Sequence, residues 1–506
     1  MLTRALLLLA CALVALLPGW LRADWDGTEG RRVQIALEML RADSWMVPLL
    51  GGAPTWAKPP LHYWLIMACH EVFGSGYLAL RLPGVLSAWL AAVAAGELLR
   101  PWFGARAGWL GALGLLCSPM VLFKWPTAEI DPLFATLTGV SLWALATGVA
   151  RERAGLVLAS GFVGGLAFLQ KGPPFFLFAA GVYLVWLRYR RLRYGLLHFA
   201  PFAVIVAAYF VPLFTWFVDP ESMLRIANTE SVGRLSQFQW AQVWSTPAYF
   251  LRAVVVILPF GFWCFWEWRG ERDARMGADD LTLRMCSGGA VLAVALLLFF
   301  PGRPTRYLLP NVLLFTFAVT PAVAHFWGLR APVPRFGQRA LRLVGALGAV
   351  ALVAIPFVPR AGFASVGVAL VAAVAPSVVR TPREVVLACL LLPVVGAWTV
   401  GLERSVRWSE GKRARVAFGQ LARAELDALG ATADLGAYGH LDSPTLLAGD
   451  LWVEGDEFRR RVPDARWVLQ EETGEKPLPE GAYVLRWRMT TPYKDFAVHE
   501  RRSAPK

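Results

Sequence analysis

The sequence predicts a mostly α, polytopic membrane helix bundle followed by a small C-terminal α/β domain, on three observations. Of 506 residues, 57% are hydrophobic and only 17% charged, with a mean hydropathy of +0.49, well outside the range of soluble globular domains. The apolar residues gather in runs near the roughly 20 residues that cross a bilayer core. These runs stop at Gly401, beyond which the chain turns polar. A cytoplasmic enzyme is excluded.

The net charge of +14 sorts the same way. Residues Met1–Gly401 carry 33 Lys and Arg against 19 Asp and Glu, whereas Leu402–Lys506 carry 17 against 17. The excess sits in short polar gaps between apolar runs. That is the orientation signal of a multi-pass membrane protein rather than a groove for phosphodiesters, so no nucleic acid is expected as a partner. The six cysteines lie scattered in apolar stretches without CxxC spacing, as buried hydrophobes do.

Thirteen runs are predicted to span the membrane. The first, Ala5–Leu21, follows Arg4 and shares features with a signal peptide, but is read as an uncleaved helix. Leu78–Leu99 and Ala107–Phe123 flank a gap bearing Arg100 and Arg106. Pro132–Ala150 and Gly155–Leu169 flank one bearing Arg151 and Arg153. Phe175–Leu187 and Gly195–Val218 flank Arg188 to Arg193. Ala248–Trp266 and Cys286–Phe300 enclose Arg269 to Arg284, and Tyr307–Leu329 and Leu341–Val358 enclose Arg330 to Arg342. Gly362–Val379 and Val385–Leu402 flank Arg380 and Arg383. With the first helix retained, every basic gap falls on one side, hence the cytoplasmic one. The opposite, outer side receives the loop 22–77, the turns near Trp125–Asp131 and Gln170–Pro174, the loop Asp219–Pro247 and the turn Gly302–Arg306. The odd number of spans places 402–506 outside too. There a helix over Lys412–Leu429 and strands over Thr432–Tyr438, Arg466–Leu469 and Tyr483–Arg488 predict the α/β domain. Residues 1–401 thus form the transmembrane domain and 402–506 a periplasmic one.

Chemistry is expected on the outer side, where 11 of the 19 acids before Gly401 fall, because charges beside apolar helices are costly unless used or paired. Within Arg22–Leu40 the apolar residues Val33, Leu37 and Leu40 predict a short interfacial helix. Asp26 and Glu29 stand at its start, as catalytic carboxylates or, with Thr28, as capping groups. Lys58 precedes Pro59-Pro60, which fixes an extended approach to the next helix. There it suits a phosphate oxygen, or snorkels beside Trp56, Tyr63 and Trp64. Only Lys58, Lys124 and Lys171 occur before Gly401, against 30 arginines. All three lie at predicted outer helix ends, where they are candidates to line an anionic-ligand pocket with Arg303, Arg306 and Tyr307. Asp131 opens an apolar helix, either as a carboxylate facing that cavity or as a helix-starting acid. His62 is placed near the cavity. The six histidines show no metal-ligand spacing, so no metal site is assigned, although carboxylates leave a divalent metal ion open as a cofactor.

These residues form an ordered set. Glu29-Gly30-Arg31-Arg32-Val33-Gln34-Ile35-Ala36-Leu37-Glu38-Met39-Leu40 is followed by Asp43-Ser44-Trp45-Met46-Val47-Pro48. Next come Lys58-Pro59-Pro60-Leu61-His62-Tyr63-Trp64, Phe73-Gly74, Arg81-Leu82-Pro83, Ala128 to Asp131, Lys171-Gly172-Pro173 and Arg306-Tyr307-Leu308-Leu309-Pro310. The set, spanning Glu29 to Pro310, resembles the bacterial 4-amino-4-deoxy-L-arabinose transferase-like glycosyltransferases, grouped with the protein O-mannosyltransferases in the GT-C superfamily. The resemblance implies a GT-C-type bundle in the cell inner membrane. It implies an inverting enzyme that takes a sugar from a polyprenyl-phosphate donor on the periplasmic face and passes it to a lipid, such as lipid A of lipopolysaccharide, or to a protein. It maps the first-loop acid to Asp26 or Glu29, the second acid to Asp131 and the phosphate-binding lysine to Lys58. Arg31, His62 and Tyr63 are further candidates to line the substrate cavity. Many relatives have an Asp-Glu pair followed by Arg-Tyr, whereas here Thr28 precedes Glu29 and Arg32 replaces the tyrosine. That departure leaves open which first-loop acid acts and weakens any assignment of aminoarabinose as the sugar.

A polyprenyl-linked sugar flippase would also need a bundle and a cationic pocket. It should show repeated halves and mid-helix charges, and the sequence has neither. A non-catalytic membrane partner is a third reading, which neutralising the outer acids without effect would favour.

Overall fold

The computed structural model describes residues 1–22, 25, 28–56, 58–189, 192–219, 221–222, 280–298, 305–328, 342, 346, 374, 381–407, 410–428, 435–438, 466–471, 483–490 and 495–501. In chain order the elements begin with α1 (Leu2–Trp20), α2 (Glu29–Arg41), β1 (Leu49–Leu50), β2 (Ala53–Pro54), α3 (Leu61–Phe73), α4 (Tyr77–Leu116) and α5 (Pro119–Lys124). Then come α6 (Ile130–Ala150), α7 (Ala154–Lys171), α8 (Pro174–Arg188), α9 (Gly195–Pro212), α10 (Leu281–Leu297), α11 (Leu309–Gly328) and α12 (Pro382–Arg407). The chain closes with α13 (Glu410–Ala428), β3 (Leu435–Tyr438), β4 (Trp467–Glu471), β5 (Tyr483–Thr490) and β6 (Asp495–Arg501). Two compact units result. One comprises Met1–Leu21 and Arg81–Glu403, the other Arg22–Leu80 and Arg404–Lys506.

The first unit is a membrane helix bundle. Among the described residues six helices are long and apolar enough to cross a membrane: Leu2–Trp20, Tyr77–Leu116, Ile130–Ala150, Ala154–Lys171, Gly195–Phe217 and Arg306–Gly328. α8 and α10 are shorter apolar helices. The two spans expected over 78–99 and 107–123 are the two arms of α4, separate helices that meet at Gly104, whose φ is 87°. Glycine takes that angle without strain, and the two arms fold back on each other: a Cβ on Gly108 would lie 2.8 Å from the Gly96 carbonyl oxygen. The second arm stops at Leu116, and α5 is a separate short helix. The spans expected over 248–266, 341–358 and 362–379 lie almost wholly outside the described residues.

Lipid is as apolar as leucine, so these helices are held by close packing rather than by expulsion of water. Trp143 of α6 stacks on Phe317 of α11 at 5.0 Å and 17°. A Cβ on Gly139 would come within 2.6 Å of Leu313 Cδ2, so α6 and α11 approach as closely as glycine allows. Charged groups collect at opposite helix ends. Where α6 finishes and α10 begins, Arg151 is paired with Asp280 and lies 4.7 Å over the Trp102 ring. Nearby, Arg284 Nη1 donates to the Tyr189 hydroxyl at 2.5 Å. The other ends carry the cluster described below.

The second unit contains the segment Arg22–Leu80 and the C-terminal fold. In α2 and α3, Arg32 Nη1 donates to the Tyr63 hydroxyl at 3.1 Å. The two-residue strands β1 and β2, which lack any sequence periodicity, pair across Gly51 and Gly52. Glu38 Oε2 accepts the Gly52 N–H at 3.1 Å, and its Oε1 accepts from Gln34 Nε2 at 2.7 Å. The C-terminal sheet has the order β3-β4-β6-β5, with β3 and β4 parallel and the other pairs antiparallel. Strand β6 went unanticipated in the sequence. Phe418, Ala422 and Leu426 recur every four residues along α13 and are buried with Trp467, Leu469, Phe496 and Val498. Phe418 stacks on Phe496 at 4.6 Å.

Candidate active site

Asp131 is the second residue of α6 and follows Glu129, the extended N-cap. Its carboxylate therefore sits in the first turn, where the helix dipole favours negative charge. Lys171 is the last residue of α7, where the dipole favours a cation. Gly172, at φ 84°, ends that helix in the left-handed conformation that only glycine adopts readily. The two ends meet, and the Lys171 ammonium is bonded to Asp131 Oδ1. Each side chain is only 9% exposed.

Arg306 comes from a 3₁₀ turn, Thr305–Leu308, that leads into α11. Its Nε lies 3.6 Å from Asp131 Oδ2. The Lys171 ammonium also lies 4.6 Å from the Tyr307 ring centroid and 5.2 Å from that of Phe134, where ring faces attract a cation. Asp131, Lys171, Arg306 and Tyr307 thus form one cluster built from three separate chain segments. Among the described residues it holds two cations to one carboxylate, so an anion entering it meets excess positive charge.

A second ion pair stands beside it. Lys124 Nζ, at the end of α5, lies 3.0 Å from Oε2 of the buried Glu129. The intervening turn is stapled: Thr127 Oγ1 donates to the Lys124 carbonyl at 2.7 Å. Trp125 Nε1 donates to Thr136 Oγ1 at 3.0 Å, which donates to the Ser87 carbonyl of α4 at 3.2 Å. Gly84 of α4 presses on the Trp125 and Thr127 carbonyls. On the other flank, the side-chain amide of the fully buried Gln170 donates to the Ile130 carbonyl at 3.1 Å.

The remaining sequence-predicted residues lie in the second unit or outside the described residues. Glu29 opens α2, buried, with Arg22 Nη2 at 3.9 Å. Thr28 is the N-cap but makes no side-chain capping bond. Lys58 is half-buried just ahead of α3, Arg31 is half-buried, and His62 and Tyr63 are buried in the first turn of α3. Asp26 and Arg303 lie outside the described residues. Among the described residues no group of three or more His, Cys, Asp or Glu side chains gathers to hold a metal ion. Sequence reasoning did not single out Gln170, nor pair Glu129 with Lys124. An amide in an otherwise apolar helix was the available signal for Gln170.

The family model "Dolichyl-phosphate-mannose-protein mannosyltransferase" matches residues 57–216. An undecaprenyl phosphate-α-4-amino-4-deoxy-L-arabinose arabinosyl transferase of Pseudomonas savastanoi pv. phaseolicola is 31% identical over 207 residues, which cover 40% of this chain and 39% of that protein. A protein of the same description from Erwinia tasmaniensis is 31% identical over 204 residues, covering 39% and 36%. The matched stretch thus spans about two fifths of those relatives' length. Among solved structures, ArnT from Cupriavidus metallidurans bound to undecaprenyl phosphate aligns with a TM-score of 0.73 at 20% identity over 99% of each chain. Its apo state aligns with a TM-score of 0.71 at 20% identity, over 98% of this chain and 97% of that one. The chain therefore shares the fold of that solved structure, and the resemblance read from the sequence is borne out.

Proposed function

We propose that this chain, which has the fold of the ArnT-like GT-C glycosyltransferases, is an integral inner-membrane enzyme. In this reading it transfers a sugar from a polyprenyl-phosphate donor to a lipid acceptor of the lipid A kind, on the periplasmic face. The observation that carries the proposal is the convergence of Lys171 and Arg306 on Asp131 at one set of helix ends. The relatives' names supply the donor class, undecaprenyl phosphate carrying an amino sugar.

Cleaving the bond between sugar and lipid phosphate develops negative charge on the leaving phosphate and positive charge at the anomeric carbon. Lys171 and Arg306 are the cations for the phosphate, and they act in a largely dry site where such contacts are strongest. Asp131 is the carboxylate for the acceptor. It takes the proton of a hydroxyl acceptor as general base, or orients a phosphate acceptor that is already nucleophilic. A single displacement from the far side inverts the anomeric carbon. On the resemblance alone, Lys58 joins in phosphate binding and Asp26 or Glu29 is the first-loop acid; Arg31, His62 and Tyr63 are candidates for contact with substrate.

The test uses purified protein in detergent, a panel of polyprenyl-phosphate sugars and a lipid A acceptor, with mass spectrometry of the acceptor. A mass gain equal to one sugar with one donor is expected. Donor consumption without acceptor gain would assign the acceptor to another class, and absence of any donor turnover would reject the enzyme.

A further inference from the structure

We propose that Gln170 is a positioning residue that holds Asp131 against its two cations; this rests on the glycosyltransferase reading above. Two consecutive residues at the end of α7 grip two consecutive residues at the start of α6. The Gln170 amide donates to the Ile130 carbonyl at 3.1 Å, and the next residue, Lys171, is bonded to the carboxylate of the next residue, Asp131. The geometry leaves no ambiguity about the amide's role: a carbonyl only accepts, so the NH₂ end of Gln170 faces it.

The cost of the arrangement points the same way. α7 reads AGLVLASGFVGGLAFLQK, and Gln170 is fully buried in it. A primary amide at such depth is expensive unless its bonds are made and used. The first turn of α6 needs such a hold. Asp131 is pulled toward Lys171 and Arg306, whose chain segments arrive independently. On the opposite flank Glu129 is pinned to Lys124 at 3.0 Å. Gln170 supplies the backbone anchor between these pulls, fixing where the carboxylate is carried. It touches no reacting atom. Small displacements of a catalytic group cost rate steeply, whereas the long Lys171 and Arg306 side chains can still reach a donor phosphate.

Gln170→Leu removes the donor while keeping side-chain size and suiting an apolar helix. With purified protein and the undecaprenyl-phosphate sugar that wild type turns over, the variant is expected to lose about tenfold in kcat, with the donor KM within about twofold. In an Asp131→Asn background the same substitution is expected to add no further loss, because its effect runs through that carboxylate. Should the leucine variant insert poorly, Gln170→Met, unbranched and equally long, carries the same expectations. Unchanged kcat per folded molecule overturns the assignment. An equal fold-loss with and without Asp131 overturns it too, since it would mark a merely structural amide. If wild type itself turns over no polyprenyl-phosphate sugar, the functional reading fails and this assignment falls with it, a result distinct from an active wild type with an indifferent Gln170 variant.

Discussion

Arg306 Nε lies 3.6 Å from Asp131 Oδ2, while Lys171 occupies the other carboxylate oxygen. A carboxylate bracketed on both oxygens by cations is held in one orientation. The same cations are where a phosphate would compete. Site occupation and carboxylate release are therefore linked in this cluster.

Lys171→Ala and Arg306→Ala should each weaken donor binding more than they disturb folding. A charge-assisted contact contributes about 1.5–3 kcal/mol, so the donor KM is expected to rise roughly 10- to 100-fold. Lys171→Ala should cost more, because Lys171 is nine-tenths buried while Arg306 is 31% exposed. Steady-state kinetics against donor concentration reads both. A rise with Arg306→Ala larger than with Lys171→Ala contradicts the ranking.

Gly84 sets how closely α4 approaches the turn that precedes Asp131. A Cβ there would lie 2.7 Å from the Thr127 carbonyl oxygen and closer still to that of Trp125. Both are backbone atoms and cannot swing aside. Gly84→Ala is expected to destabilise the bundle by about 1–3 kcal/mol, the usual range for overpacking. It should also lower kcat by shifting the Asp131 turn. A melting curve in detergent together with the transfer rate checks both; an unchanged melting point would show that α4 can move.

This much was legible in the sequence for physical reasons. Apolar length and flanking arginines announced α6 to α9 and α11 to within a few residues, since a membrane span must be both long and bounded. Asp131, Lys171 and Arg306 stood out as charges at the ends of apolar runs. Their mutual pairing did not, because segments ending at residue 171 and starting at residue 306 meet only through packing. The gap bearing Arg100 and Arg106 does separate two helices; what stayed hidden is how short it is, because only a glycine at φ 87° makes so tight a reversal. Strand β6 escaped because DFAVHER alternates weakly, and only its pairing with β4 and β5 defines it.

Acid should loosen the C-terminal sheet. Arg486, donating to Glu500 at 2.8 Å, and then Arg466 at 3.2 Å hold the Glu500 carboxyl below its ordinary value of 4.5. A depressed carboxylate contributes stability that is fully present above the ordinary value and is lost as pH falls through the folded-state one. Hydrogen exchange of the β5 and β6 amides in the whole protein should therefore quicken as pH drops below 4.5, after correction for the intrinsic rate. Arg486→Ala should shrink this acid-induced quickening, because the Glu500 carboxyl then departs less from its ordinary value. Identical profiles for wild type and variant would remove Glu500 from the account.

In the proposed reaction Asp131, gripped by Lys171 and Arg306, carries the transfer. The direct measurement is the single-turnover rate of sugar transfer from undecaprenyl phosphate-linked donor, followed by mass spectrometry, for wild type and Asp131→Asn protein of matched folding and donor affinity. Loss of a positioned proton acceptor predicts a rate at least about 100-fold lower. A rate within about twofold of wild type would place the chemistry on some other carboxylate and contradict the assignment of this cluster.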